Sequence, residues 1–187
     1  MRIMVVGPPG SGKSRLSATL AAQLDLPLLH LDDYYWLDRW ERPQPDLWLR
    51  TLELLVSGQE WIIDGNYSES LAIRLAAADL VILLDVGGWR SVLGLLRRTL
   101  TWWTGDTQTL PARIASNSGR PPPLRNFLRV VRKSASFRRR ILPGMTELFD
   151  AHQVPVVVVR SWQEARRVTT PAGLGRKHPA AGIADGC

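Results

Sequence analysis

Gly7-Pro8-Pro9-Gly10-Ser11-Gly12-Lys13-Ser14 lies between an apolar run, Arg2–Val6 (RIMVV), and SRLSATLAAQL, Ser14–Leu24, which has helical spacing. Gly-x4-Gly-Lys-Ser with a strand before it and a helix after it is a P-loop. Glycines let successive backbone N–H groups turn inward around a phosphate, and the following helix offers its positive end. Gly7, Pro8, Pro9, Gly10, Ser11, Gly12, Lys13, Ser14 and Arg15 are therefore the expected nucleotide-binding residues. Lys13 is expected at the β- and γ-phosphates and Ser14 on Mg²⁺. The expected ligand is ATP with Mg²⁺. The base would be read by irregular segments such as 160–167, which leaves ATP against GTP open.

Working outward, further short apolar runs alternate with helical patterns. Strands are expected at Leu26–Leu31, Trp61–Asp64, Asp79–Val86 and Val154–Val159, and helices at Pro45–Val56, Glu69–Ala77 and Trp89–Trp103. Strands apolar on both faces, separated by helices, indicate an α/β fold whose parallel sheet is covered on both sides. Between the fourth and fifth strands lies a long insert. It holds a Gly/Ser/Asn/Pro-rich stretch, 105–123, and a basic helical run from Leu124 to about Ile141. So long an insert is expected to be functional, for example as a lid. One domain is expected over 1–168, with the lid at about 104–143. The tail at 169–187, rich in Gly, Ala and Pro, is expected to be disordered.

The 187 residues suffice for one buried core. Cys187 is the single cysteine, which rules out an internal disulfide and suits a reducing cytoplasm. With no signal-peptide pattern and no apolar stretch of spanning length, a cytoplasmic protein with no membrane partner is expected. Net charge is +7, unevenly spread: 88–143 carries twelve basic residues against one acid, Asp106. Such a segment marks an anionic partner or a solvated Arg-rich face, and composition does not choose between them.

Transfer of a phosphoryl group to a hydroxyl needs a side chain to orient that hydroxyl or take its proton. Asp32, the first polar residue after the second strand in HLDDYYW, His30–Trp36, is the expected catalytic carboxylate. Asp33 would assist it. The plain alternative is that both cap the following turn. Tyr34, Tyr35, Trp36 and Trp40 offer rings to an acceptor, or packing, and Arg39 and Arg42 would bind its anionic group. His30 is read as a packing or hydrogen-bonding residue. Asp64 and Asp85 end strands, yet neither is followed by the second acid of a dedicated ATPase. Arg97 and Arg98 are expected to close over the transferring phosphoryl, with Arg120, Arg125 and Arg129 as lid cations and Arg132 on the same face as Arg125 and Arg129. Arg138, Arg139 and Arg140 read as surface charge.

MRIMVVGPPGSGKS, HLDDYYW, EWIIDGNYS and ADLVILLD followed by LLRR together resemble the adenylate-kinase-like P-loop proteins known as DNA topology modulation proteins of the FlaR type. The resemblance spans roughly Met1 to Arg98 and returns weakly at VPVVVVRSWQEARR. It implies the nucleoside-monophosphate-kinase fold, a three-layer α/β/α sandwich with five parallel strands in order 2-3-1-4-5 and a helical lid. It implies that Asp64 holds a Mg²⁺-bound water, and it matches Asp32 to an acceptor-binding or base aspartate. Asp64, Asn66 and Tyr67 then fall beside the acceptor. Asn66-Tyr67 stands where adenylate kinases carry Pro-Arg, and their Thr-Gly-x3-Arg run is missing.

Three functions are consistent with this reading: a kinase acting on a small nucleoside- or nucleotide-like acceptor, a nucleic-acid-linked ATPase or regulator gripping DNA or RNA through the basic insert, and a non-catalytic nucleotide-binding module. The carboxylate after the second strand favours the first. Against the second, no helix-turn-helix, zinc knuckle or RNA-binding motif is found.

Overall fold

A computed structural model describes residues 1–104, 110–117 and 124–168. Arg120 and the tail from 169 lie outside these described residues. The strands are β1 (Arg2–Val6), β2 (Leu28–His30), β3 (Trp61–Asp64), β4 (Leu80–Leu84) and β5 (Val156–Val159). They form one parallel sheet in the order β2-β3-β1-β4-β5, as the resemblance implied. Around it lie α1 (Lys13–Leu24), α2 (Leu31–Tyr35), α3 (Pro45–Val56), α4 (Leu71–Ala77), α5 (Gly88–Trp103), α6 (Ala112–Asn117), α7 (Leu124–Ala135), α8 (Phe137–Arg140), α9 (Leu142–His152) and α10 (Trp162–Val168).

Strand side chains alternate between two apolar cores. Met4, Val6, Ile63, Val81 and Leu83 point to Trp48 and Leu52 of α3, Leu71 and Leu75 of α4, and Met145 and Phe149 of α9. Ile3, Val5, Ile62, Ile82 and Leu84 point to Leu16 and Leu20 of α1 and Ala165 and Val168 of α10. A three-layer sandwich results, and its P-loop, Asp64, His30 and Asp85 all emerge at the carboxyl ends of neighbouring strands.

Four local expectations need correction. Asp32 and Asp33 sit inside the short helix α2, because Leu31 leaves the strand and buries itself in the core. Helix α9 was not foreseen: Pro143-Gly144 look like a break, but Pro is tolerated in a first turn, and Leu142, Met145 and Phe149 recur at helical spacing against the core. The 160–167 segment is not irregular, since α10 occupies most of it. Ser161 Oγ accepts the Glu164 N–H at 3.2 Å while Glu164 Oε2 accepts the Arg160 N–H at 2.7 Å, a close variant of the capping box. Arg138 is more than surface charge, for its guanidinium forks onto Asp85 at 2.8 and 3.1 Å, at the end of β4.

The insert folds back over the phosphate loop. Ser134 of α7, buried, donates its hydroxyl to the Pro9 carbonyl at 2.8 Å. Trp102, Leu110 and Ile114 form a small separate core, joined by Trp36 and Trp40. Asp33 accepts the Ala112 N–H at 2.7 Å, which caps α6 and ties the segment after β2 to the insert.

Candidate functional site

The loop after β1 adopts the conformation its glycines permit. Gly10 and Gly12 have φ of 81° and 91°, where any side chain is strained. A Cβ on Gly12 would lie 2.3 Å from the Trp162 ring, and one on Gly94 of α5 would lie 2.2 Å from the Gly10 carbonyl. Absence of side chains is thus what lets α5 and α10 close on the loop. Gly94→Ala is expected to lower stability by about 1–3 kcal/mol. Gly144→Ala, at a helix position with nothing within 4 Å of the added carbon, is expected to be neutral or stabilising by up to about 1 kcal/mol. Thermal melts of the two variants would test this, and equal melting temperatures would refute the close approach.

One cavity of about 1260 Å³ runs from the loop to α2 and α7. That exceeds the roughly 300–1,000 Å³ of a single-ligand pocket, leaving room for a nucleotide and a second molecule. Pro9 to Arg15, Asp32, Asp33, Tyr35, Trp36, Asp64, Asn66, Tyr67, Arg97, Arg98 and Arg129 all line it. Arg125, also expected in the lid, does not. Lys133, one helical turn after Arg129, does, and it was not foreseen. Its spacing on α7 was the available signal. Tyr34 is exposed outside the cavity, whereas Tyr35 is buried among Trp36, Trp48 and Tyr67 and belongs to the core as much as to the site.

The charged groups are arranged in depth. Lys13 Nζ donates to the Pro8 carbonyl at 3.0 Å. Burial pushes its ammonium below the usual lysine range, while the Asp64 and Asp32 carboxylates pull the other way. Asp64 is buried, and burial alone would raise its carboxyl. The hydrogen bond with His30 (3.1 Å), the Lys13 charge and the Ser14 hydroxyl outweigh it and hold Asp64 below the ordinary aspartate value. The same bond raises His30 above the usual histidine range, so His30 is a partner of Asp64 rather than bare packing. Burial also lowers Arg98, against the pull of Asp32 and Asp64, and lowers Lys133, against Glu69 and Asp32. These cations face the carboxylates from the lid side. The Arg98 guanidinium also lies over the Trp102 ring at 4.9 Å.

The turn after β3 is the least anticipated part. Asn66 accepts the Gly7 N–H at 3.0 Å and donates to the Gly7 carbonyl at 2.5 Å, so its amide clamps the start of the phosphate loop. Tyr67 donates its hydroxyl to Asp32 Oδ1, and burial first, then Asp32, raises its phenol far above the usual range. Both backbones are held by Arg74, a wholly buried side chain on α4. It donates to the carbonyls of Gly65 (2.8 Å), Asn66 (2.8 Å) and Tyr67 (3.0 Å). Burial lowers Arg74 to about 10. One arginine thereby orients the loop clamp and the partner of Asp32 together.

Ser14 and Asp64 adjoin one another and suit a hard cation, the one offering a hydroxyl and the other an ionised carboxylate. Among the described residues no three His, Cys, Asp or Glu side chains cluster to hold a metal by themselves. A cation here would take its remaining ligands from phosphate and water.

No protein-family model matches the chain, and no curated protein sequence matches it. Solved structures do. The shikimate kinase of Bacteroides thetaiotaomicron superposes with a TM-score of 0.50 at 13% identity, covering 92% of this chain and 96% of that one. The shikimate kinase of Aquifex aeolicus superposes at 0.43 and 16% identity, covering 93% and 94%. At such identity the likeness is one of fold, the P-loop kinase α/β/α sandwich with strand order 2-3-1-4-5. No described helix is long and apolar enough to cross a membrane.

Proposed function

We propose that this protein is a kinase that transfers the γ-phosphoryl group of ATP to a small, anionic, hydroxyl- or phosphate-bearing acceptor of nucleoside or nucleotide type. The observation that carries the reading is that Asp32, held by Tyr67, shares one cavity with Lys13 and the phosphate loop. An acceptor oxygen attacks the γ-phosphorus as the bond from phosphorus to the bridging oxygen breaks. ADP departs with that electron pair, and a hydroxyl acceptor's proton passes to the Asp32 carboxylate. Lys13, Arg98 and Arg97 neutralise the equatorial oxygens. Mg²⁺, held by Ser14 and through water by Asp64, would supply further charge neutralisation at the phosphates.

Eight cationic side chains line the cavity against four carboxylates. That excess is larger than Mg·ATP, at about −2, would neutralise, which favours an acceptor that brings negative charge. Arg42 and Lys133 stand on the acceptor side with Asp32 and Glu69. Arg39 and Asp33 remain proposed acceptor-side residues, the latter by anchoring α6. The proposed unit is 1–168, with the insert as its lid. The FlaR-type resemblance supports the same P-loop reading. The nucleic-acid alternative is set aside because Arg97, Arg98, Arg129 and Lys133 line the cavity itself.

At the other end, the Trp162 ring lies against Gly12, with the Arg15 guanidinium over it at 5.1 Å. It offers a flat platform for the base. Trp162→Ala is expected to raise KM for ATP about tenfold, with kcat within about twofold. An unchanged KM would remove Trp162 from the nucleotide site.

The deciding experiment is ADP release from Mg·ATP with a panel of nucleosides, nucleotides and small alcohols, plus duplex DNA, with Lys13→Ala as the blank. Turnover that jumps with one small acceptor supports the kinase. Turnover that rises only with DNA, or with nothing, overturns it.

A further inference from the structure

Exposed large apolar side chains are concentrated on two helices. Of the twelve among the described residues, seven lie on α5 and α7. On α5 they are Trp89, Leu93, Leu96, Leu100 and Trp103, at spacings of four, three, four and three, which is one straight stripe along the helix. The stripe is distinct from the buried face, formed by Ser91, Leu95, Thr99 and Trp102. Exposure reaches 69% at Trp89, 56% at Leu100 and 62% at Trp103. On α7, Leu124 and Leu128 share an exposed row with Arg132, beside the row of Arg125 and Arg129. An apolar groove of about 500 Å³, lined by Gly88, Trp89, Val92, Leu93, Leu96 and Ala135, joins the stripe to the end of α7.

The charge beside this surface has one sign. Helices α5, α7 and α8 hold not one Asp or Glu. Of their ten cations, Arg90, Arg97, Arg98, Arg129 and Lys133 line the cavity and Arg138 holds Asp85, which leaves Arg125, Arg132, Arg139 and Arg140 for an outer face. A leucine ridge with tryptophan at both ends, beside the exposed Arg125 and Arg132 of α7, matches a helix lying in a lipid interface. Two other occupants fit less well. A second copy would cover the stripe but bring two basic surfaces together, at a cost in repulsion. Nucleic acid would use the arginines and tryptophans and leave the leucines without a role.

We infer that α5 and α7 form a docking surface for an anionic lipid bilayer, with Trp89, Leu93, Leu96, Leu100, Trp103, Leu124 and Leu128 at the acyl boundary and Arg125, Arg132, Arg139 and Arg140 on the headgroups. Adsorption of this kind needs no spanning helix, so the expectation of no membrane partner, drawn from spanning length, does not bear on it. Trp89 and Leu93 also line the cavity, so the stripe adjoins the proposed kinase site, but the inference uses none of that site's charged groups.

The test is co-sedimentation of the full chain with phosphatidylcholine vesicles with and without phosphatidylglycerol, beside sedimentation velocity without lipid. The chain is expected to pellet with the anionic vesicles at least about tenfold more strongly than with neutral ones, and less as salt rises. A Leu96→Glu/Leu100→Glu variant is expected to lose at least about tenfold in binding while its thermal melt stays unchanged. Binding absent from anionic vesicles, or unaffected by the variant, would overturn the inference. So would a dimer that the variant dissociates in a chain that ignores vesicles, for then a second copy covers the stripe.

Discussion

Asp32→Asn is expected to lower kcat for phosphoryl transfer by about 10²–10⁴-fold and leave KM for ATP within about twofold. The substitution keeps the shape of the side chain and leaves an oxygen to accept the Tyr67 hydroxyl, so the fold and the Tyr35–Tyr67–Trp48 packing are retained. What it removes is the capacity to take a proton and the negative charge facing Lys13 and Arg98. Tyr67→Phe leaves the carboxylate and removes only its tether. Its expected loss is smaller, about tenfold. Steady-state kinetics on both variants, with the acceptor found by the panel, would decide the role. A kcat that survives Asp32→Asn would reduce Asp32 to a turn residue and leave another group to orient the acceptor.

The second large effect is on stability. Arg74→Met fills most of the same space but leaves the carbonyls of Gly65, Asn66 and Tyr67 without their donor in a buried turn. Charge-assisted bonds of this kind are worth about 1.5–3 kcal/mol each, less what the loss of a buried cation returns. The expected net cost is about 3 kcal/mol, or a fall in melting temperature of roughly 6–12 °C for a chain of this size. Arg74→Lys, with one ammonium for two guanidinium nitrogens, is expected to recover only part of it. Because the same turn clamps Gly7 and tethers Asp32, nucleotide affinity and kcat should fall together in both variants. Melting by circular dichroism beside nucleotide titration would check this. A melting temperature within about 2 °C of the parent would show that the turn holds itself.

Much of this protein is legible along the chain because it depends on neighbours in sequence. Gly7–Ser14 states its own backbone demands, and the runs Arg2–Val6, Trp61–Asp64 and Leu80–Leu84 are apolar on both faces because helices cover both. Strand existence, helix α3 with its proline start, and the α/β class follow from such local regularity. That Asp32 falls just past the end of β2 was legible for the same reason, although the strand closes on His30 and Asp32 lies inside α2. The capping pattern at Ser161 and Glu164 was equally local, and it was the available signal for α10.

Which polar side chain serves which purpose was not written locally. Arg74 sits in LAIRLAA, an apolar stretch in which one arginine reads as a stem lying on the surface; packing of α4 onto the sheet buries it beneath residues 65–67. Asn66 reads as a ligand residue, and it becomes a clamp because β1 and β3 are paired, bringing Gly7 beside it. Arg125, Arg129 and Lys133 share one helix and one sign of charge. Only the angle at which α7 crosses the phosphate loop, pinned by Ser134 on Pro9, turns the latter two inward. A P-loop and a parallel sheet are properties of local backbone geometry and hydrophobic period, which the amino acids carry wherever the segment lies. The partners of a buried arginine or a clamping amide are chosen by contacts between residues far apart in the chain, and those exist only once the layers have packed.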